Sequence, residues 1–152
     1  QIDTDFELLF PDNYINSITE RLNLYNELSS TKSSDELLDF EKRLIDRFGE
    51  LPVQAIDLLD SVRLKWLAKE IGLEKVVLKQ KRMIGYFISD QQSEFYQTEA
   101  FTKVLKYVQQ NPTTSVIKEK QTKAGLRLLI TFIKIDSVEI ALKRLKKVLG
   151  HF

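Results

Sequence analysis

The hydrophobic period of this chain changes at Gly72, and that change constrains the fold more than any other feature. Before Gly72, apolar residues recur at the three- and four-residue intervals of amphipathic helices. After it, short runs rich in β-branched and aromatic residues alternate with two further helical patterns. The sequence therefore predicts an α+β fold, with a mainly helical first half over residues 1–72 and a strand-rich second half over residues 73–150.

Three helices are predicted in the first half. Ser17 and Ser33 each stand three residues before a glutamate, which is capping-box spacing, and they mark the first two helix starts. The apolar stripe of the first helix consists of Ile18, Leu22, Tyr25 and Leu28. The second helix is expected to end at Gly49, and the third to run from Pro52 to Gly72. A short apolar stretch over residues 5–10 precedes these helices and is predicted to be a strand.

The second half is predicted to follow the order β-β-α-β-β-α. Its strands are expected over residues 74–80, 83–89, 115–120 and 125–133, and its helices begin at Ser93 and at Asp136. This order predicts an antiparallel sheet with the helices on one face. No linker or low-complexity tract separates the halves, so we expect one composite domain over residues 1–152, with residues 151–152 as a tail.

Formal charge is divided unequally between the halves. Residues 1–72 hold 8 basic and 15 acidic residues, a net charge of −7, and residues 73–152 hold 15 basic and 7 acidic, a net charge of +8. Such a division favours either packing of the two halves against each other or recognition of two different partners.

Several classes of function lack the residues that they require. The chain has no Cys and one His, so it offers neither a thiol nucleophile nor a zinc ligand set, and it has no glycine-rich phosphate loop. Asp57 and Asp60 are interpreted as solvated helix charges, and His151 as a tail residue. We therefore expect no catalytic residue, no metal and no cofactor. The chain begins at Gln1 and contains no apolar run of about 18 residues, as in a cytoplasmic fragment of a longer protein.

Three basic segments could contact phosphate groups: residues 79–82, 118–123 and 143–147. Each is interpreted instead as turn or helix-end chemistry, because few aromatic residues accompany them to stack on bases. A nucleic-acid-contacting accessory module that acts through the basic second half is kept as the alternative function.

The second helix holds the most informative surface. At about 100° per residue from Leu37, apolar and charged residues occupy opposite arcs of this helix. The apolar arc, from about 300° to about 80°, contains Phe40, Leu44, Ile45 and Phe48. The charged arc, from about 180° to about 240°, contains Asp39, Arg43 and Asp46. Asp46 is therefore expected to point away from the core.

Two further charged residues of this helix lie beside the apolar arc. Glu41, at about 40°, faces the apolar side, so we expect it to pair with Arg21 or Arg63 rather than to be buried alone. Arg47, at about 280°, flanks the stripe and can reach either a neighbouring carboxylate or a partner.

Three short strings carry a resemblance to a known family. Residues 44–52 read Leu-Ile-Asp-Arg-Phe-Gly-Glu-Leu-Pro, residues 9–15 read Leu-Phe-Pro-Asp-Asn-Tyr-Ile, and residues 21–25 read Arg-Leu-Asn-Leu-Tyr. In this order and spacing they resemble the C-terminal domain of the bacterial transcription-repair coupling factor family, also called Mfd. The strings cover residues 9–52, whereas the remainder is similar mainly in length and element order.

This resemblance implies a regulatory role. Parent proteins of the family are ATP-driven DNA translocases that dislodge stalled RNA polymerase and recruit the excision-repair protein UvrA. Their C-terminal domain docks on a UvrB-like N-terminal module and masks the surface that UvrA recognises. The implied partner is therefore that module of the same protein, with UvrA and RNA polymerase reached through the full-length chain. Neither a membrane partner nor direct DNA contact is expected.

The resemblance also gives candidate contact residues. Asp46 matches the Asp of the family's Leu-x-Asp-Arg-Phe-Gly motif, whose acidic face reaches arginines of the partner module. Family members commonly carry Glu where this chain has Arg43. Either the partner surface has changed charge to match, or the acidic contribution has passed to Asp39 or Glu50. Together with Arg47, these residues form the candidate partner-binding set.

Overall fold

A computed structural model describes residues 1–151 and confirms the predicted α+β fold. The strands are β1 (Ile2–Thr4), β2 (Leu73–Lys79), β3 (Arg82–Phe87), β4 (Ser115–Thr122) and β5 (Gly125–Ile133). The helices are α1 (Ile18–Ser29), α2 (Ser34–Phe48), α3 (Val53–Glu70), α4 (Glu99–Gln110) and α5 (Val138–Leu149). None of the helices within the described residues is long and apolar enough to cross a membrane.

The strands form one mixed sheet in the order β1-β2-β3-β5-β4. The β2–β3, β3–β5 and β5–β4 pairs are antiparallel, as predicted, but β1 pairs in parallel with β2. The prediction of a strand over residues 5–10 is wrong, because the strand ends at Thr4. Its position is set by partners distant in sequence: the Val76 amide donates to the Gln1 carbonyl at 2.9 Å, and the Thr4 hydroxyl donates to the Leu78 carbonyl at 2.7 Å.

The chain divides into two compact units. The sheet unit comprises Gln1–Phe6 and the chain from Leu64 onward, and the helical unit comprises Glu7–Arg63. The boundary falls within α3. A single composite domain over residues 1–152 stays a prediction.

In the sheet unit, alternation along the strands selects the buried side chains. Met83 and Phe87 of β3 and Ile130 and Phe132 of β5 are all buried.

Helix α5 ends at Gly150, which adopts the left-handed conformation at φ 77° and ψ 18°.

Two helix starts in the sheet unit differ from the prediction. Ser137, not Asp136, caps α5, because its backbone is extended and its Oγ accepts from the Ile140 amide at 3.1 Å. Ser93 opens a short 3₁₀ helix over Glu94–Gln97, and Thr98 then caps α4.

In the helical unit the first two predicted caps are confirmed. The Ser17 hydroxyl accepts from the Glu20 amide at 3.2 Å, and the Ser33 hydroxyl accepts from the Glu36 amide at 3.1 Å. Helix α2 ends at Gly49, whose φ of 90° suits a residue without a side chain. These local signals set the ends of the helix that carries the candidate site.

Three residues assigned to the apolar stripes of α1 and α2 are exposed. In α1, Ile18 and Leu22 are 66% and 57% exposed, and in α2 Ile45 is 43% exposed. Helix α1 instead turns Tyr25 and Leu28 inward, where the Tyr25 ring stacks on Phe10. The periodicity was sufficient to predict the helices, but the burial of a stripe depends on whether a second element covers it.

Candidate partner-binding surface

Helix α2 presents a charged arc to solvent and buries the opposite arc. Leu37, Phe40 and Leu44 are buried, whereas Asp39 and Asp46 are exposed. The exposure of Asp46 agrees with its predicted position opposite the apolar arc of α2. The arc through Asp39 and Asp46 is called the α2 charged face below.

Arg43 lies on this face but is held by carboxylates of its own unit. Its Nη1 lies 2.8 Å from Glu27 Oε1 on α1, and its Nε lies 3.3 Å from Asp39 Oδ2 one turn earlier on α2. The hydrogen bond to Glu27 is the main cause that raises the pKa of Arg43 above its ordinary value. The guanidinium carbon also lies 5.7 Å from the centre of the Phe40 ring. Arg43 therefore joins α1 to α2.

Arg47 makes a second bridge between the same helices. Its guanidinium forms an ion pair with Glu20 of α1 and lies 5.0 Å from the centre of the Phe48 ring. Both arginines of the candidate set are thus paired with α1 acids.

Asp46 and Glu50 differ from these arginines. Both side chains are exposed, and within residues 1–151 neither has a hydrogen-bond or ion-pair partner. Their carboxylates keep their hydration and remain available to a cation from outside the chain.

Glu41 has the partner that its position on the apolar side predicts. Its carboxylate lies 3.7 Å from the Arg63 guanidinium, which also pairs with Asp60 at 2.9 Å. Arg21, the other expected partner, instead donates to the Ile15 carbonyl at 2.5 Å.

The three sequence strings that carry the family resemblance meet in space. The Tyr14 hydroxyl donates to the Gly49 carbonyl at 2.8 Å and to the Leu44 carbonyl at 3.3 Å. Burial raises the pKa of Tyr14. The Phe10 amide donates to the Tyr25 hydroxyl at 2.8 Å. Residues 9–15 therefore anchor both the end of α2 and the inner side of α1, which fixes the α2 charged face.

Comparison with known proteins identifies the family. The family model named TRCF domain matches residues 4–98, which is more than half of the chain. The chain belongs to the TRCF domain family. This membership confirms the resemblance carried by the three strings.

Two of the relatives named transcription-repair-coupling factor come from Escherichia coli and Staphylococcus aureus. The Escherichia coli K12 protein is 40% identical over 73 residues, which cover 48% of this chain and 6% of that protein. The Staphylococcus aureus USA300 protein is 27% identical over 150 residues, which cover 93% of this chain and 13% of that protein. The chain thus spans a small fraction of the length of the relatives that it matches.

A solved structure shows the same fold. It is described as the C-terminal domain of transcription-repair coupling factor, and it superposes with a TM-score of 0.73 at 17% sequence identity. The match covers 99% of this chain and 91% of that chain.

The possible metal ligands and His151 are the other chemical groups of this TRCF domain chain that the sequence singled out. No group of three His, Cys, Asp or Glu residues suited to a metal ion occurs among residues 1–151. His151 Nε2 lies 3.8 Å from a Glu70 carboxylate oxygen.

The sheet unit has a basic groove of about 280 Å³ between α4 and α5. Lys103, Lys106 and Lys147 line it, and no carboxylate side chain is among its lining residues. Sequence reasoning identified the lysines of residues 143–147 but missed Lys103 and Lys106. Both lie on α4, and the sequence alone does not show that α4 lies beside α5.

Proposed function

We propose that this chain is the regulatory C-terminal domain of a bacterial transcription-repair coupling factor. In the full-length protein, an ATP-dependent DNA translocase that removes stalled RNA polymerase, it docks on the UvrB-like N-terminal module. Docking masks the surface that recruits UvrA in nucleotide-excision repair. The domain acts by occupying a surface, so the proposal assigns it no catalytic residue.

Membership of the TRCF domain family supports this role, and so does the size of the relatives. The Staphylococcus aureus protein aligns over nearly the whole chain, yet the alignment covers 13% of that protein. Most of such a full-length protein therefore lies outside this chain, which leaves room for the module on which we propose that the domain docks.

The pairing pattern of the α2 charged face is the observation that carries the proposal. Arg43 and Arg47 are paired with α1, whereas Asp46 has no partner within residues 1–151. The carboxylate of Asp46 can therefore accept hydrogen bonds from an arginine of the module without breaking an existing ion pair. Charge-assisted hydrogen bonds of this kind are about twice as strong as neutral ones.

Masking requires a limited amount of binding free energy. A domain whose removal changes the open fraction from about 1% to about 99% contributes roughly 5.5 kcal/mol to the closed state. A few close charge pairs together with buried apolar contact supply this amount.

Deletion of this domain from the full-length protein tests the proposal. We expect the truncated protein to bind UvrA more tightly and to hydrolyse ATP faster, because the masked surface is then permanently open. Addition of the separate domain should reverse both effects. Unchanged UvrA affinity after deletion contradicts the masking role.

The basic groove between α4 and α5 favours a second candidate function, contact with nucleic acid. Three lysines without a carboxylate among them form a suitable surface for phosphate groups. Binding of duplex DNA to the chain at several salt concentrations distinguishes the two functions. Each phosphate contact steepens the logarithmic salt dependence by about 0.9, so binding that is weak and independent of salt removes this candidate.

A further inference from the structure

One face of the five-stranded sheet packs against helix α4. The buried side chains of Phe87 on β3 and Phe132 on β5 belong to this face. The Phe87 ring centre lies 5.9 Å from that of Phe101, and the Phe132 ring centre lies 6.3 Å from that of Tyr107, both on α4. The alternate residues of each strand point to the opposite face, which is called the outer face below.

Two rows of aligned residues cross the outer face on strands β2, β3, β5 and β4. The strand register places Val77, Ile84, Thr131 and Val116 in one row and Lys75, Tyr86, Leu129 and Lys118 in the next. The first of these is called the apolar row. Val116 is 39% exposed, and the other three members of the apolar row are half-buried. The solvated face of an antiparallel sheet is commonly polar, so an apolar row there indicates a surface that a partner covers.

The charges on the outer face are almost all positive. The register assigns to this face the basic residues Lys75, Lys79, Arg82, Lys118, Lys120 and Arg127 and one acidic residue, Asp3. Asp3 pairs with Lys79 at 3.1 Å, and Arg127 pairs with Glu74 at 2.6 Å. The other four basic residues have no ion-pair partner within residues 1–151. The sheet unit as a whole holds 17 basic and 10 acidic residues, a net charge of +7, so charge favours an acidic occupant.

The side chains of the outer face favour a protein segment over a nucleic acid. Among the described strands, Tyr86 is the one aromatic residue on this face. Lys75 Nζ and Arg127 Cζ already lie 5.6 Å and 5.5 Å from the centre of its ring. Single-stranded nucleic acids are held largely by bases that stack on free aromatic rings. The aliphatic residues of the apolar row instead suit the aliphatic side chains of a protein.

The dimensions of the apolar row suit one α-helix. Four strands at a spacing of about 4.8 Å make the row about 14 Å long. An α-helix with its side chains is about 10–12 Å in diameter, so a single helix covers most of the row. Lys118 lies in the neighbouring row on one side of the apolar row, and Arg82 lies on the other side. Basic groups are therefore present on both sides of a helix in this position.

We propose that the outer face of the sheet binds an acidic amphipathic helix of a partner protein. The aliphatic side chains of that helix pack on the apolar row, and its aspartate and glutamate residues pair with Lys118 on one side and Arg82 on the other. The site belongs to the sheet unit and contains no residue of the α2 charged face. It does not depend on the docking role proposed above.

Synthetic peptides test whether the outer face has this specificity. The first peptide is a fluorescein-labelled helix of about 18 residues with leucine at every third or fourth position and glutamate at most others. The second has the same composition in an order that removes the leucine stripe, and the third has lysine in place of glutamate. Fluorescence anisotropy measures the binding of each peptide to the chain. We expect the first peptide to bind at least roughly tenfold more tightly than either of the others.

Variants of the chain locate the binding site of the first peptide. The double variant Arg82→Glu, Lys118→Glu reverses two exposed charges beside the apolar row, and we expect roughly tenfold weaker binding. Ile84→Thr removes apolar area from the row but keeps a β-branched strand residue, and it should also weaken binding. The double variant Lys103→Glu, Lys106→Glu is the matched control, because it makes the same change of charge in the basic groove between α4 and α5. The control should bind the peptide like the parent chain, and thermal melts show that all variants are folded.

Four results would overturn the proposal. The first is equal binding of the first two peptides, because charge alone then explains the affinity. The second is an equal loss in the control variant, which moves the site to the basic groove. The third is tighter binding of a single-stranded oligo(dT) than of the peptide, with the loss confined to the outer-face variants, since a nucleic acid is then the occupant. The fourth is self-association of the parent chain that the outer-face variants abolish while no peptide binds, since a second copy is then the occupant.

Discussion

Arg43 of α2 and Glu27 of α1 form an ion pair, with 2.8 Å between Nη1 and Oε1. Arg43 stands where the resemblance leads one to expect Glu. The sequence offered two explanations: a matching change of charge on the partner surface, or transfer of the acidic contribution to Asp39 or Glu50. The ion pair adds an internal reason for the arginine: it joins two helices of the same unit. Glu27 therefore compensates the positive charge of Arg43 within the chain, before any partner binds.

Exchange of the two charges tests the structural role of the pair. Arg43→Glu should lower the melting temperature of the chain by roughly 2–4 °C, because it replaces an attraction of up to about 1 kcal/mol with a repulsion. The double variant Glu27→Arg, Arg43→Glu should recover most of the loss. A double variant less stable than Arg43→Glu means that the two side chains do not interact in solution.

The same variants distinguish two roles of Arg43 in docking: its ion pair with Glu27 and a direct contact with the partner. We expect Arg43→Glu to weaken binding to the N-terminal module, because the α2 charged face loses its link to α1, and the double variant to bind more tightly than Arg43→Glu. The measurement is isothermal titration against the module. Tighter binding by Arg43→Glu than by the parent chain instead means that the partner has kept a cationic surface opposite this position.

Tyr14→Phe tests the anchor at the end of α2. Loss of the hydroxyl that donates to Gly49 should reduce the free energy of unfolding by about 0.5–1.5 kcal/mol at neutral pH. Burial raises the pKa of Tyr14 in the folded chain above its value of 10.0, so the folded state holds this proton more tightly than the unfolded state. The contribution is therefore fully present below about pH 10 and is lost as the pH rises through the folded pKa. Urea denaturation at pH 7 and pH 11 should show the difference between parent and variant shrinking, and a constant difference contradicts this account.

Gly72→Ala tests the turn between α3 and β2. Gly72 has a φ of 84°, and an added Cβ atom would lie 2.4 Å from Cε2 of Phe95, so both backbone strain and steric overlap are expected. Gly125→Ala is the matched control, because Gly125 has a φ of 113° but no atom within 4 Å of an added Cβ. Thermal denaturation should show a clearly larger loss for Gly72→Ala. Equal losses would mean that Phe95 does not pack against Gly72.

Local signals made much of the fold predictable. The Ser17 and Ser33 caps depend on contacts within three residues, and both are present. Asp136 and Ser137 are adjacent candidates for the cap of α5. The sequence pattern selected Asp136, whereas Ser137 is the cap. The parallel pairing of β1 was not predictable, because its register depends on β2, about seventy residues away.

The sequence was sufficient to predict the position of the candidate site, but not the ion pairs that its residues form. Helical geometry alone placed Asp46 on the exposed arc of α2. It could not show that Arg43 pairs with Glu27, since that contact requires the position of α1. The exposure of Ile45 was missed for the same reason: whether a stripe is covered depends on tertiary structure.

The affinity of the Asp46→Arg chain for the N-terminal module is the most direct test of the account. Glu119→Arg, which makes the same charge reversal at an exposed residue of β4, serves as the control. Removal of one partner of a desolvated charge pair at an interface costs about 2–5 kcal/mol, or roughly 30-fold or more in dissociation constant. The account predicts a loss of that size for Asp46→Arg, no loss for Glu119→Arg, and an unchanged melting temperature for both. Equal affinity of the parent and Asp46→Arg chains, with both folded, would contradict docking through Asp46.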